Sequence, residues 1–373
     1  MGSGSDSRTC FMAFIDNRTP FSVELLSFPD LEGQEARVLV ISATFEQTQK
    51  GPLRAVSPQP PVRLADEHFG APAFSSVRYE ADVALNKPLL DVIVNGSAYA
   101  PKGRPARSVL VELHVGDIRK KLLVHGDRRG LPIVRSLLPN RFLCMPIVYE
   151  RAYGGTDTRS KNPKKHKVYR QNPVGLGFKG IQSHDSCIKT DLPNIEHVSS
   201  ALGRGKRLPA GFGIIGRSWN PRLTYAGTYD EKWLNTQWPL LPLDFNSLHY
   251  QCAPADQQSQ VIRGGEPFRL LNLTPDGEWA ATLPMLNIPV HLFSDEGKTE
   301  ISPRLDTVII EPDFRRIMLS LRASIPVQRT RAPLREVVLG HMEGAWLRAK
   351  AKGKRYWDIR GTGGLDPQRS YYL

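Results

Sequence analysis

Proline and glycine set the first limit on this chain. Thirty prolines and 31 glycines are distributed through 373 residues, so the backbone is repeatedly turned or deprived of a helix donor. Many short elements joined by turns are expected, rather than a helical bundle. Apolar residues make up 40% of the chain and charged residues 23%, which allows a packed core and excludes wholesale disorder. The fold class read from these features is mainly β. Sandwich-like antiparallel sheets are expected, with a long irregular Gly/Pro/Trp-rich middle and a few short helices.

The strand candidates follow from residue type and period. Ser22–Phe28 and Ala36–Phe45 are rich in β-branched and large apolar residues, with Gly33 between them. Pro52–Pro72 is too broken by proline for a helix. Leu89–Ala100 and Arg141–Tyr149 also read as extended. In Ser108–Val115 the apolar Val109, Val111, Leu113 and Val115 alternate with Leu110, Glu112 and His114, the period-two mark of a half-buried strand. Gly116-Asp117 then predicts a hairpin into Arg119–His125. Asp276-Gly277 predicts a second hairpin between Pro267–Thr274 and Glu278–Leu283. Asn287–Phe293, Leu305–Glu311 and Arg315–Arg322 continue the pattern. The spacing of Leu334, Val337, Val338, His341, Met342, Ala345 and Trp346 predicts a helix over Pro333–Lys350.

From about Gly154 to Gln251 neither period persists, and Gly, Pro, Asn and Trp dominate. The organisation expected is a small polar leader over 1–13, a β-rich unit over 14–326 and a helix with a basic tail over 327–373. The central unit divides into sub-domains at about 14–153 and 154–326. The leader lacks the apolar stretch of a signal peptide, and no run of about 18 apolar residues offers a membrane span. The chain therefore reads as cytoplasmic.

Charge is concentrated. The formal net charge is +13, and the stretches Arg159–Arg170 and Arg348–Arg360 each carry six basic residues. A nucleic-acid groove draws cations from several elements and interleaves stacking aromatics. These runs read first as a solvated loop and tail, second as a dock for an acidic protein, and only third as a nucleic-acid contact.

Chemistry is sparse. Cys10, Cys144, Cys187 and Cys252 lack metal or redox spacing, and no metal or cofactor is expected. Gly175, Gly177 and Gly180 match G-x-G-x-x-G, but no strand precedes them and no helix follows, so a tight loop is the simpler reading. His125-Gly126-Asp127-Arg128 brings an imidazole near a carboxylate, with Cys144 or Ser218 as conceivable nucleophiles, yet no catalytic motif supports them. His125 reads as a strand end, and Asp127 as a turn residue pairing with Arg128. Arg78, Glu80, Asp82, Lys87 and Asp91 form a charged group. Arg78, Glu80 and Asp82 share one face of an extended chain and read as a structural ion-pair network more than as an acid–base pair. Trp219, Tyr225, Tyr229, Trp233 and Trp238 are the candidate partner-binding aromatics. They read equally well as the private core of the irregular middle.

Several blocks, in order, carry a resemblance. They are Asn17–Phe21, Arg78–Arg107 (RYEADVALNKPLLDVIVNGSAYAPKGRPAR), His125–Arg128, Met145–Gly155, Asn172–Gly180, Leu192–Glu196, Pro209–Gln258 and Arg263–Pro284. Over about Phe14–Pro326 the chain resembles a bacterial family long catalogued as a domain of unknown function. Its characterised members are similar to effector adaptors, or chaperones, of the type VI secretion system. Gly130 departs from the pattern, at a position where relatives are expected to carry an aromatic. The resemblance implies a non-enzymatic role: binding a secreted effector protein and loading it onto a PAAR-type or valine-glycine-repeat-type spike protein. The competing expectations are a carbohydrate- or peptide-active hydrolase and a nucleic-acid binder acting through the basic tail.

Overall fold

The computed structural model describes residues 13–48, 51–130, 138–178, 190–201, 207–325 and 334–352. Cys10, Cys187, Gly180 and most of the leader and basic tail therefore lie outside the described residues.

The fold is mainly β, as composition predicts. Its longest strand, Glu35–Gln47, is buried almost continuously from Val38 to Phe45, which requires cover on both faces. It pairs antiparallel with Ser22–Pro29 and with Arg316–Ile325. The seven-stranded sheet continues through Arg304–Glu311 and Leu90–Val94, which run parallel to each other, to a short strand at Gln258–Ser259. Alternate residues serve two cores. Leu39, Ile41, Phe45, Val92, Val94, Ile310 and Leu319 enter the main cluster. Their neighbours Val38, Val40, Ile93, Ile309 and Met318 face the other way.

Across the main cluster lies a five-stranded sheet, whose Val109, Val111, Leu113, Leu122, Phe268, Leu270 and Trp279 join it. The hairpin of Ser108–Val115 and Ile118–His125 has the expected two-residue turn, Gly116-Asp117, with Gly116 at φ 53°. The Asp276-Gly277 hairpin is wider. Leu271 pairs with Glu278, so six residues form the loop, and the Gly277 N–H donates to the Thr274 carbonyl within it. A four-stranded sheet of Phe14–Asn17, Leu334–Leu339, Val290–Ser294 and Gly297–Ile301 completes the core through Val290, Leu292, Val337 and Leu339.

The helix expected over Pro333–Lys350 forms only at Gly344–Ala351. Leu334–Leu339 is a strand, parallel to Phe14–Asn17 and antiparallel to Val290–Ser294. Val337, Val338 and Leu339 are all buried there, so two-sided cover made an apolar run that mimics helical spacing. In the irregular middle, described regular structure is limited to very short strands, 3-10 turns, Val198–Ala201 and the six-residue helix Glu231–Thr236. That region and the segment around Val62–Leu85 cover the outer face of the large sheet, packing Val62, Val77, Tyr79, Ile214, Cys252 and Ala253 on it. Gln257, fully buried, donates from Nε2 to the carbonyls of Val92 and Phe212 and so ties that cover to the sheet.

Candidate functional site

The charged group of 78–91 does not pair internally, except at one point. Arg78 meets Glu311 at 3.2 Å, and the Tyr79 hydroxyl also bonds Glu311. Burial, then that contact, pushes the Tyr79 phenol up to about 12. Glu80 accepts from Arg217 and, at 2.7 and 2.9 Å, from both terminal nitrogens of Arg222. Burial pushes its carboxyl up, but Arg222 and Arg217 more than offset this and hold it at about 2. Asp82 accepts from the Ser320 hydroxyl at 2.7 Å and lies 3.5 Å from Arg63. Lys87 and Asp91 form the internal pair, at 2.6 Å. These partners stand well over a hundred residues away in sequence, apart from Arg63 and the Lys87–Asp91 pair. The network thus clamps the 62–87 segment to the irregular middle through Glu80, and to the large sheet through Arg78, Asp82 and Lys87.

The same cluster holds an amine and a thiol, Lys87 and Cys252, side by side. Lys87 Nζ donates to Thr307 at 2.8 Å and lies 3.7 Å from Cys252 Sγ, beside a cavity of about 20 Å³, room for about one water. Burial opposes the Lys87 charge, but Asp91 keeps its pKa raised. Burial, then Asp91, pushes the Cys252 thiol well up. Both groups stay protonated, so neither is a nucleophile near neutral pH.

A second constellation has catalytic form. Ser108 Oγ lies 2.7 Å from His125 Nδ1, and His125 Nε2 lies 3.3 Å from Glu196 Oε2. The contact to Glu196 is not aligned as a hydrogen bond, and Arg128 holds the same carboxylate oxygen at 2.7 Å. Acyl transfer also needs donors aimed at an oxyanion. The adjacent amides are already engaged, His125 with the Asn194 carbonyl and Gly126 with that of Arg107. Asp127 bonds Arg151 and Asn194. The expected Asp127–Arg128 pair is thus replaced by Arg151–Asp127 and Arg128–Glu196, because Arg128 points back to the Glu196 strand.

The candidate aromatics separate into two kinds. Trp219 is buried and meets Tyr149 edge-on at 5.6 Å. Of the two readings of Trp219, that burial favours the private core over a partner anchor. Tyr225 is half-buried, and its carbonyl accepts from Asn246. Of the others, Trp233 lies in the helix Glu231–Thr236 and Tyr229 and Trp238 flank it; the helix is capped where the Asp230 carboxylate accepts from the Trp233 N–H at 2.8 Å. Tyr229 and Trp233 meet edge-on at 4.7 Å, and the Trp233 indole donates to the Leu240 carbonyl. Around them Trp238 is 64% exposed and Leu243 76%, with Leu234 and Tyr229 more than half exposed.

The glycine motif has a packing cause at its described positions. A Cβ on Gly175 would lie 2.3 Å from Asn172 Nδ2 and 2.6 Å from the Ala152 carbonyl oxygen, and Gly177 sits at φ 84°. Gly180 lies outside the described residues. In the basic loop Arg159 pairs with Asp157, and Lys164 and Lys165 sit on an exposed 3-10 turn. Most of the basic tail lies outside the described residues. Among the described residues no group of His, Cys, Asp and Glu is placed to hold a metal, and no helix is long and apolar enough to cross a membrane.

Hairpin register alone makes Ser108 the partner of His125, since a two-residue turn at 116–117 places them opposite each other. Arg222, Arg217 and Glu311 had no such signal. No curated protein and no solved structure matches the chain. Residues 32–322 match a family described as an uncharacterized protein conserved in bacteria, DUF2169. That match spans most of the chain, which therefore belongs to the DUF2169 family.

Proposed function

We propose that this protein is a non-enzymatic adaptor of type VI secretion, which binds a secreted effector polypeptide and presents it to a PAAR-type or valine-glycine-repeat-type spike protein. The observation that carries the reading is the outcrop around Glu231–Thr236. Trp238, Leu243, Leu234 and Tyr229 expose large apolar side chains from one short segment, and exposed aromatic and aliphatic clusters are characteristic of polypeptide interfaces. The resemblance carried by the long sequence blocks supplies the secretion context. Binding by such a surface is reversible, as loading followed by release requires.

Affinity capture of this chain from its native cells at moderate salt, followed by co-expression with the effector so identified, tests the proposal. A soluble complex that survives moderate salt supports it. An effector that is equally soluble and equally secreted without the chain refutes it. The Ser108–His125–Glu196 group supports a hydrolase as the second reading. Labelling of Ser108 by a fluorophosphonate, lost in Ser108→Ala, would establish that reading in place of the first.

A further inference from the structure

Where the three sheets meet, the surface opens into a cleft of about 230 Å³. Its floor is Leu305, Leu319 and Leu321, nearly buried residues of the seven-stranded sheet. One side is Pro284 and Leu286, which follow the strand Glu278–Thr282. The opposite side is Pro303, which follows the strand Gly297–Ile301. Two exposed arginines, Arg263 and Arg304, flank the cleft. The Arg263 guanidinium donates to the Ile262 carbonyl and that of Arg304 to the Lys87 carbonyl. Both of these acceptors are backbone carbonyls rather than carboxylates. Beyond Arg304 a second, polar hollow of about 200 Å³ continues past Asn86, Ser302 and Ser324.

The strand leading into the cleft is an open edge. Glu278–Thr282 ends the five-stranded sheet, and among the described residues no strand pairs its outer side. The Asn272 N–H bonds the Gly277 carbonyl and the Leu283 N–H bonds the Glu266 carbonyl. Antiparallel alternation therefore turns the backbone groups of Glu278, Ala280 and Thr282 outward. This edge carries neither proline nor lysine, the usual guards against pairing.

We infer that this edge and cleft bind an extended segment of a partner polypeptide in which an acidic residue neighbours an aliphatic one. The segment adds as a strand beside Glu278–Thr282. Its aliphatic side chain enters between Pro284 and Leu305, and its carboxylate pairs with Arg263 and Arg304. The site rests on the adaptor reading and assigns that partner's chemistry.

The test is fluorescence anisotropy of the full chain with labelled twelve-residue peptides. One alternates Glu with Leu, a second carries Gln for Glu, and a third carries Lys for Glu. The acidic peptide is expected to bind, and Arg263→Glu with Arg304→Glu to weaken it at least about tenfold. The doubly reversed variant is expected to gain affinity for the Lys peptide. Equal binding of the Glu and Gln peptides, or no effect of charge reversal, overturns the assignment. A thermal melt confirms that the variant, altered only at exposed positions, is folded. Effector co-purification is read in parallel. A complex undiminished by the charge reversal leaves the adaptor reading standing and removes this site. Loss of every complex with the wild-type chain removes the adaptor reading itself.

Discussion

Arg222→Ala should be among the most damaging single substitutions in the protein. The side chain is 3% exposed and makes five hydrogen bonds: two to Glu80, two to the His249 carbonyl and one to the Ile215 carbonyl. Alanine leaves a buried carboxylate with only Arg217, and two carbonyls without this donor. Breaking a buried charge pair from one side costs about 3–5 kcal/mol. Replacing Glu80 with Gln keeps the shape but leaves the buried Arg222 charge without its counter-ion, so it too should cost a few kcal/mol. The two variants also differ with pH. The Glu80 carboxyl is depressed from 4.5 to about 2 in the fold, which corresponds to roughly 3 kcal/mol of linked stability. For a depressed acid that stability is complete above the ordinary value and is lost as the pH falls through the folded one. Guanidinium unfolding followed by tryptophan fluorescence at pH 7, 4 and 2.5 measures both effects. The gap between wild type and Glu80→Gln should shrink steadily toward pH 2.5. A cost for Arg222→Ala under about 1 kcal/mol at pH 7, or a gap independent of pH, would refute the clamp.

Other outcomes follow from single contacts. Trp238→Ala with Leu243→Ser should leave the melting temperature within a degree or two, because both side chains are exposed, while reducing effector co-purification. Gly126→Ala should impair folding strongly, seen as loss of soluble yield, because its Cβ would lie 1.9 Å from the Asn140 carbonyl oxygen. Thiol labelling of the native protein, mapped by mass spectrometry, should modify exposed Cys144 and spare Cys252 until the protein is unfolded. Lys87→Met should destabilise by about 3 kcal/mol or more in the same unfolding assay, since it strands Asp91 in the core.

Local pattern was a good guide wherever a strand's neighbours are close in sequence. Alternation in Ser108–Val115 and the glycine at 116 were enough to mark the hairpin; the Ser108–His125 contact follows from its register, whereas the sequence reading named Cys144 and Ser218 instead. Leu334–Leu339 misled because its two neighbours are Phe14–Asn17 and Val290–Ser294. A strand covered on both faces loses the alternation that would have marked it. The charges of 78–91 were visible as a group, but their partners Arg217, Arg222 and Glu311 are fixed only by the tertiary fold. Aromatic content likewise does not distinguish Trp219, packed on Tyr149, from Trp238, facing solvent. Burial is decided by how an irregular segment lies on its sheet, and that segment has no period to read.

Under the proposed function this chain grips another polypeptide without chemical turnover. Light scattering on a size-exclusion column, with purified chain and the effector captured with it mixed at moderate salt, addresses this most directly. A complex of defined stoichiometry is expected, with both polypeptides recovered intact and with Trp238→Ala/Leu243→Ser eluting largely uncomplexed. Separate elution of the wild-type components, or cleavage of the effector on mixing, would contradict it.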